Sequence, residues 1–279
     1  MGSKRVRGGR AEFADVVCFN SSGRPQLERA LNRCRHGNFV RPDSAELHVP
    51  VAGLMCQETH ARGDGLTALK AKAKKGGWKL HGAPGQPAEG CAGIVGAMIA
   101  TPSHIGSGLA KFGKADLSPD ESPGRIGAIW SEGIVRGGIL LISVYLWQGE
   151  GLTDRNRAIL FATGEAIKRH GGPWLIGGDF NTTPGDVVEC MKELLKTVGG
   201  NVCATADITR RSQTGGRTID FFIVDDRISH GVIGVWTAID FTSSPHYMAV
   251  IRLKSVASRA LISRIFAPAT FGGAMPKGW

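Results

Sequence analysis

Four short segments of this 279-residue chain put groups that can do chemistry at points where an apolar run begins or ends. In the first, Gly177-Gly178-Asp179-Phe180-Asn181-Thr182-Thr183-Pro184 follows the apolar run Trp174, Leu175, Ile176. That order places Asp179 and Asn181 at the carboxyl end of a strand, where α/β sheets hold their ligands. A carboxylate there can take a proton from water, and an amide two residues on can hold an oxyanion. The same residues suit an Asx-type turn leading into a helix cap, and alone the segment supports both readings. The second segment, Leu54-Met55-Cys56-Gln57-Glu58-Thr59-His60, ends an apolar strand on Glu58: a ligand for a hard cation, or a charge emerging into solvent. In the third, Arg217-Thr218-Ile219-Asp220-Phe221-Phe222, an Asp enters an apolar run. The fourth, Ser243-Ser244-Pro245-His246-Tyr247, sets His246 at the head of the last strand. Taken singly, Asp220 reads as a strand-edge charge and His246 as a surface histidine. Brought together and buried, the carboxylate would raise the imidazole pKa and fix its tautomer.

The elements that hold these groups read as short apolar strands alternating with amphipathic helices. Residues 14–19 form an apolar run ending at Asn20, and Pro25 opens a helix in which Leu27, Ala30, Leu31 and Cys34 share a face and Gly37 ends the pattern. Residues 49–56 are strand-like, and Asp64 is placed to cap a Lys-rich helix that stops at Gly76-Gly77. Residues 93–100, 126–131 and 139–147 give three further strands. Thr153 is the expected cap of a helix buried on Ile159, Ala162, Ala166 and Ile167. After the short strand 174–176, Thr183-Pro184 opens a helix with Val187, Met191, Leu194 and Val198 inward; proline's missing N–H costs nothing at the first helical position. Residues 219–224, 232–238 and 247–253 complete the strands, while 101–124, rich in Pro, Ser and Gly, read as a long loop.

Composition narrows the class of partner. Lys and Arg number 34 against 24 Asp and Glu, a formal charge of +10, which favours anionic partners such as nucleic acid or phosphorylated compounds. At 42% hydrophobic the chain is too apolar for disorder, and its 40 glycines have no G-X-Y period, so it is not collagen-like. The longest strongly apolar run, 137–147, is far short of the ~20 residues that span a bilayer. No apolar region follows the basic Lys4, Arg5, Arg7 and Arg10, so no signal peptide is read there. The 6 cysteines (18, 34, 56, 91, 190 and 203) lack C-x-x-C spacing and read as reduced core thiols, consistent with an intracellular protein of the nucleus or cytoplasm. The charge excess lies in residues 1–41 and in Lys70, Lys72, Lys74, Lys75 and Lys79, either as a solvated helix face or as a patch steering a phosphate backbone to the site. Trp78, Trp130, Trp147 and Trp236 lie in or beside strand-like runs and read as core rather than base-stacking platforms.

The order of the motifs is more specific than any one of them. A strand ending in Asn20, then Gln57-Glu58, Ser143-Val144-Tyr145, Gly178-Asp179-Phe180-Asn181, Ile219-Asp220-Phe221 and Ser244-Pro245-His246 resembles the endonuclease/exonuclease/phosphatase superfamily. That superfamily includes abasic-site endonucleases, LINE-type retrotransposon endonuclease domains, deadenylases, inositol polyphosphate phosphatases and sphingomyelinases. The first two are the most similar in pattern. The resemblance spans residues ~14–253. It implies an α/β fold, a four-layer α/β sandwich of two packed mixed β-sheets flanked by helices, with the active site at one end. The expected organisation is a basic arm (1–12), a catalytic domain (13–253) and a C-terminal tail (254–279). The resemblance further implies that Glu58, helped by Asn20, binds Mg2+ or Mn2+, and that Asp179 positions or deprotonates the attacking water. Asn181, Tyr145 and Asn20 would contact the scissile phosphate, and His246, oriented by Asp220, would stabilise charge on the phosphoryl oxygens.

Two positions depart from that pattern. Pro245 stands where the family has the Asp of Ser-Asp-His, and Ser22 stands where some members carry an acid. Asp240 could supply the lost carboxylate only if its loop folds back. The expected activity is a Mg2+-dependent phosphodiester hydrolase, foremost a DNA endonuclease. A phosphatase or phosphodiesterase on inositol phosphates or phospholipid headgroups, and a non-catalytic nucleic-acid-binding relic, stay open. Any reverse transcriptase partner would lie outside these 279 residues.

Overall fold

The computed structural model describes residues 12–36, 39, 49–82, 86–87, 94–110, 112–135, 137–213, 215–243 and 245–255. The expected basic arm up to residue 11, the tail from 256 onward, Gly37, Cys91, Ser244 and the side chain of Asp240 lie outside that description.

Two mixed sheets stack face to face. The first takes β1 (Phe13–Asn20), β2 (Val51–Gln57), β3 (Trp78–Gly82), β6 (Met98–Pro102), β12 (Arg210–Ser212), β13 (Gly215–Arg217), β15 (Val232–Ser243) and β16 (His246–Lys254), in the order β13-β12-β16-β1-β2-β6-β3 with β15 on β16. The second takes β7 (Ser107–Gly108), β8 (Ile126–Ser131), β9 (Ile139–Tyr145), β10 (Trp174–Asp179), β11 (Gly200–Cys203) and β14 (Asp220–Asp225), in the order β11-β14-β10-β9-β8-β7. A two-stranded ribbon pairs β4 (Gln86–Pro87) with β5 (Ile94–Val95). The helices are α1 (Arg24–His36), α2 (Gly63–Lys75), α3 (Asp154–His170), α4 (Pro184–Val198) and the short α5 (Asp226–Ser229).

Three apolar layers hold the sandwich together. Leu27, Leu31, Leu66 and Leu69 of α1 and α2 pack on Val17, Phe19, Leu54 and Val250 of the first sheet. Val16, Met55, Leu141, Leu175 and Phe222 fill the space between the sheets. Ile159, Ile167, Val187 and Met191 of α3 and α4 cover Leu140, Ile142 and Ile176 of the second sheet. Central strands are therefore covered on both faces, which is why β2 and β9 are buried along their whole length and read as continuous apolar runs. Folding apolar side chains into these layers is the main driving force, at roughly 1.5–3 kcal/mol for each large residue fully buried.

Several elements depart from the sequence reading. Asp64 lies inside the first turn of α2, with Arg62 at the cap position making no side-chain cap bond, so its charge favours the helix N-terminus without capping it. The run 93–100 divides into β5 and β6. Glycine is needed at Gly127 nearby, because a Cβ there would meet the Ala97 carbonyl oxygen at 2.5 Å. On α4 the third fully buried residue is Leu195, with Leu194 and Val198 only partly covered. The expected cap of that helix is present as a reciprocal pair: the Thr183 hydroxyl accepts from the Asp186 N–H while Asp186 reaches back to Thr183 N. Within 101–124 β6 runs on to Pro102 and Ser107–Gly108 forms β7. The described cysteines are free, and burial pushes the thiols of Cys18, Cys34 and Cys56 up so that they stay protonated.

Candidate active site

Strand direction gathers the chemistry at one end. β1 runs parallel to β2, and β9 parallel to β10, so Asn20, Glu58, Tyr145 and Asp179 all emerge at carboxyl ends. β16 is antiparallel to β1 and β14 antiparallel to β10, so their first residues, His246 and Asp220, arrive at the same end. Register finishes the placement, with Asp179 opposite both Tyr145 and Asp220. Paired glycines allow two close approaches here, Gly177 to the facing sheet and Gly178 to the neighbouring strand β9. A Cβ on Gly177 would strike Met55 Sδ at 2.5 Å, and one on Gly178 would strike the Val144 carbonyl oxygen at 2.4 Å.

The residues singled out in the sequence form one connected group. Asn20 Nδ2 donates to Asp179 Oδ2 at 2.8 Å, joining the sheets. His246 Nδ1 donates to Asp220 Oδ2 at 3.1 Å, and its Nε2 lies 4.0 Å from Asp179 Oδ2. The Tyr145 hydroxyl donates to Glu58 Oε1. Asn181 N–H donates to Asp179 Oδ1 at 3.1 Å while its side-chain amide is held by the Leu146 carbonyl at 3.0 Å. Beneath them, a buried chain runs from Cys18 to Gln57 to Ser143, with Gln57 Nε2 donating to Ser143 Oγ at 2.9 Å across the sheets. This gives Gln57 and Ser143, which the motifs included without a role, a supporting one under Glu58 and Tyr145.

Backbone strain concentrates at the same end. Among the described residues the non-glycine positions with positive φ are Ser22 (46°), Glu58 (50°), His60 (49°) and Asn181 (49°), each just past a strand end at the site. Such conformations cost free energy and persist where surrounding structure fixes them. Ser22, at the position where an acid was expected in some relatives, donates its N–H to Asn20 Oδ1 at 2.9 Å and so fixes the amide.

Electrostatics separate the roles. Burial, reinforced by the neighbouring Asp220 charge, pushes the Asp179 carboxyl up to about 7, against the lowering pull of His246 and Asn20. Burial alone would lower His246, but the charge and hydrogen bond of Asp220, with the Asp179 charge, outweigh it and raise the imidazole to about 9. Burial and the facing carboxylates of Glu58 and Asp179 hold the Tyr145 phenol well above its usual range, so it remains a donor. A cation at His246 thus faces a carboxylate near its titration point, a pairing suited to proton transfer beside developing negative charge.

The donor set fits a hard divalent cation. Glu58 and Asn20 offer carboxylate and amide oxygens, and beside them the Asp179 and Asp220 carboxylates and the His246 ring lie within 4.8 Å of one another, the protonated imidazole serving as a donor rather than a ligand. Asp220 Oδ1 is buried without a hydrogen-bond partner among the described residues, leaving acceptor capacity there.

Two arginines were not foreseen. Arg125 is buried, with its guanidinium 4.4 Å from the Tyr145 ring and 3.6 Å from that of Trp147, and it donates to the same Leu146 carbonyl that holds Asn181. Arg155 lies 3.7 Å from the Trp147 ring, so that tryptophan is packed between helix and site rather than open for stacking. Arg210 stands opposite His246 in the β12–β16 register, and its buried Nε has no partner among the described residues. Only the Gly124-Arg125 step before an apolar run hinted at the first; the second sits in an Arg- and Gly-rich hairpin with no apolar alternation to reveal a strand.

No protein-family model and no curated protein matches the chain. Among solved structures it is similar to the endonuclease domain of TRAS1, a telomere-specific non-LTR retrotransposon, at 17% identity, covering 87% of this chain and 98% of that one with a TM-score of 0.58. It is similar to the AP endonuclease LMAP from Leishmania major at 15% identity, 87% and 88% coverage and a TM-score of 0.60. ANGEL2, a 2′,3′-cyclic phosphatase, gives 10% identity, 87% and 96% coverage and a TM-score of 0.59. At such identities the likeness is one of fold, and the chain has the endonuclease/exonuclease/phosphatase fold.

Proposed function

We propose that this chain is a divalent-metal-dependent phosphodiester hydrolase, with DNA the favoured substrate. The observation that carries the proposal is the Asp220–His246–Asp179–Asn20 chain of contacts, buried and built from four different strands. A carboxylate and an imidazole held side by side in a buried cluster, both raised, are the pattern of a site that moves protons. The proteins of like fold, nucleases and phosphatases by their descriptions, support the same chemistry.

In this reading Glu58 holds Mg2+, or Mn2+ in its place, with help from Asn20. A bound divalent cation there would neutralise charge building on the phosphoryl group. Asp179 takes the proton of the attacking water, its raised pKa matching work near neutral pH. His246 keeps its proton because Asp220 holds the opposite ring nitrogen, and it presents Nε2–H to a phosphoryl oxygen. Asn181, fixed at the Asp179 carboxylate and the Leu146 carbonyl, positions the phosphate with its remaining amide hydrogen. Arg210, with its unpartnered Nε beside His246, supplies a further donor to the phosphodiester.

DNA is favoured because arginines border the site: Arg210, Arg211 and Arg217 on the β12–β13 hairpin, with Arg211 packed 4.9 Å from the Tyr247 ring. A non-catalytic relic is the second reading, favoured by Pro245, which takes the place of a carboxylate next to His246. The test is incubation with an abasic duplex, an intact duplex and a small phosphodiester, each with Mg2+ or Mn2+. Cleavage of duplex is the expected result. Turnover of the small ester alone would move the substrate away from DNA, and binding without cleavage would support the relic.

A further inference from the structure

The expected steering of a backbone to the site by Lys70–Lys75 meets a geometric difficulty. α2 begins just after Glu58 at the catalytic end and runs away from it, and β3, which follows, starts at the opposite edge, with Trp78 paired to Pro102 and Gly82 to Met98. The last turn of α2, with Lys72, Lys74 and Lys75, therefore lies at the far end of the domain. α1 also starts at the catalytic end, directly after β1, and runs the same way. The two helices enclose a groove of about 650 Å3 between them.

The groove walls are strongly basic. α1 carries Arg24, Arg29, Arg33 and Arg35 against one acid, Glu28, and α2 carries Lys70, Lys72, Lys74 and Lys75 against Asp64. Glu28 is neutralised in place, 2.5 Å from Lys72 Nζ and 3.8 Å from Arg24 Nε. Lysines in the last turn of α2 and Arg35 in the last turn of α1 favour the helix dipoles, yet that does not account for Arg29 in the middle of α1. Leu31 is 5% exposed, Leu69 1% and Trp78 3%, so the floor side chains are largely covered, while Arg29, Arg35, Lys72 and Lys75 on the walls stand in solvent. That charge favours an anionic partner.

We propose that the α1–α2 groove is a second binding track, for the phosphate backbone of a nucleic acid that extends beyond the catalytic end. Arg29, Arg35, Lys72 and Lys75 line it, and Arg24 stands at its catalytic end. Each helix has 13 residues, so the track is about 20 Å long, enough to run beside about six phosphates of one strand of B-form duplex. It rests on the reading that the substrate is nucleic acid, and extends that reading from the scissile bond to the flanking strand.

The test compares wild type with the exposed-face triple variant Arg29→Gln, Arg35→Gln, Lys75→Gln, whose thermal unfolding is checked for an unchanged midpoint. Binding of fluorescent 10-base-pair and 40-base-pair duplexes is measured in EDTA across a salt series, and cleavage of the 10-base-pair duplex is measured with Mg2+. The variant is expected to bind the long duplex about 10-fold more weakly, with a log-affinity against log-salt slope shallower by roughly 2–3, since each lost phosphate contact removes about 0.9. Short-duplex binding and cleavage stay as in wild type. Unchanged long-duplex binding would overturn the track, and so would equal losses on both lengths. A loss confined to anionic vesicles or polyglutamate would also overturn it and reassign the groove. A wild type that shows the length-dependent, salt-dependent binding but cuts nothing would overturn the hydrolase reading while leaving the track standing.

Discussion

Replacing Asp220 by Asn removes the group that most strongly holds the proton on His246. In wild type the imidazole is raised from 6.5 to about 9, so the folded state binds that proton more tightly than the unfolded state does. The sign follows directly: the stabilisation is complete below pH 6.5 and is lost as pH rises through 9. Asp179, raised from 3.8 to about 7, changes stability in the same direction but in a lower window, so from pH 7 to pH 10 His246 dominates and Asp179 completes only the second half of its titration. At 1.36 kcal/mol for each tenfold change in proton affinity, the loss across that window is about 2–3 kcal/mol. Both side chains are buried, with 5% and 0% of their area exposed, so little of this is screened by solvent. The assay is urea unfolding followed by far-ultraviolet circular dichroism at successive pH values, with chelator present throughout. The Asp220→Asn protein should lose less than about 1 kcal/mol over the same window, since removing the Asp220 charge also lowers the Asp179 carboxyl and moves its titration down, out of the window. An Asp220→Asn variant that loses as much stability as wild type would refute the assignment of the His246 proton to Asp220.

Other positions give independent checks. Gly178→Ala places a Cβ 2.4 Å from a backbone oxygen that cannot move without displacing β9, so calorimetry should show a loss of about 2–3 kcal/mol; a melting temperature within a degree of wild type would contradict the close approach. Arg125→Met keeps bulk but frees the Leu146 carbonyl and removes the cation beside Tyr145. We expect kcat to fall about 10- to 100-fold with KM little changed, and a pure KM effect would instead mean that Arg125 touches substrate. Pro245→Asp restores a carboxylate next to His246, and the metal concentration giving half-maximal activity should drop about 10-fold; no shift would show that this turn faces away from the metal.

Much of this site was legible because its residues sit where apolar runs stop. Asp179, Asp220 and His246 each interrupt or flank a run that became a buried strand. Distances between sheets were not legible: nothing local to Asn20 says that its amide will reach Asp179 across the core. Arg125 was hidden for a different reason, since a buried guanidinium stabilised by two aromatic faces has no local sequence signature. The Lys-rich helix was read correctly as a helix, but which end of the domain its lysines occupy depends on the direction of β2 and β3. Short strands at the sheet margin such as β12 and β13 lack alternation because they are mostly exposed, leaving pattern reading nothing to work with.

The most direct measurement is nicking of supercoiled plasmid by wild type, Glu58→Ala and Asp179→Ala in millimolar Mg2+ or Mn2+. We expect wild type to convert supercoiled plasmid to the nicked form, chelator to stop it, and each substitution to lower the rate at least about 100-fold. Binding of plasmid by wild type without nicking, or nicking that survives in Asp179→Ala, would contradict the assignment of hydrolytic chemistry to this site.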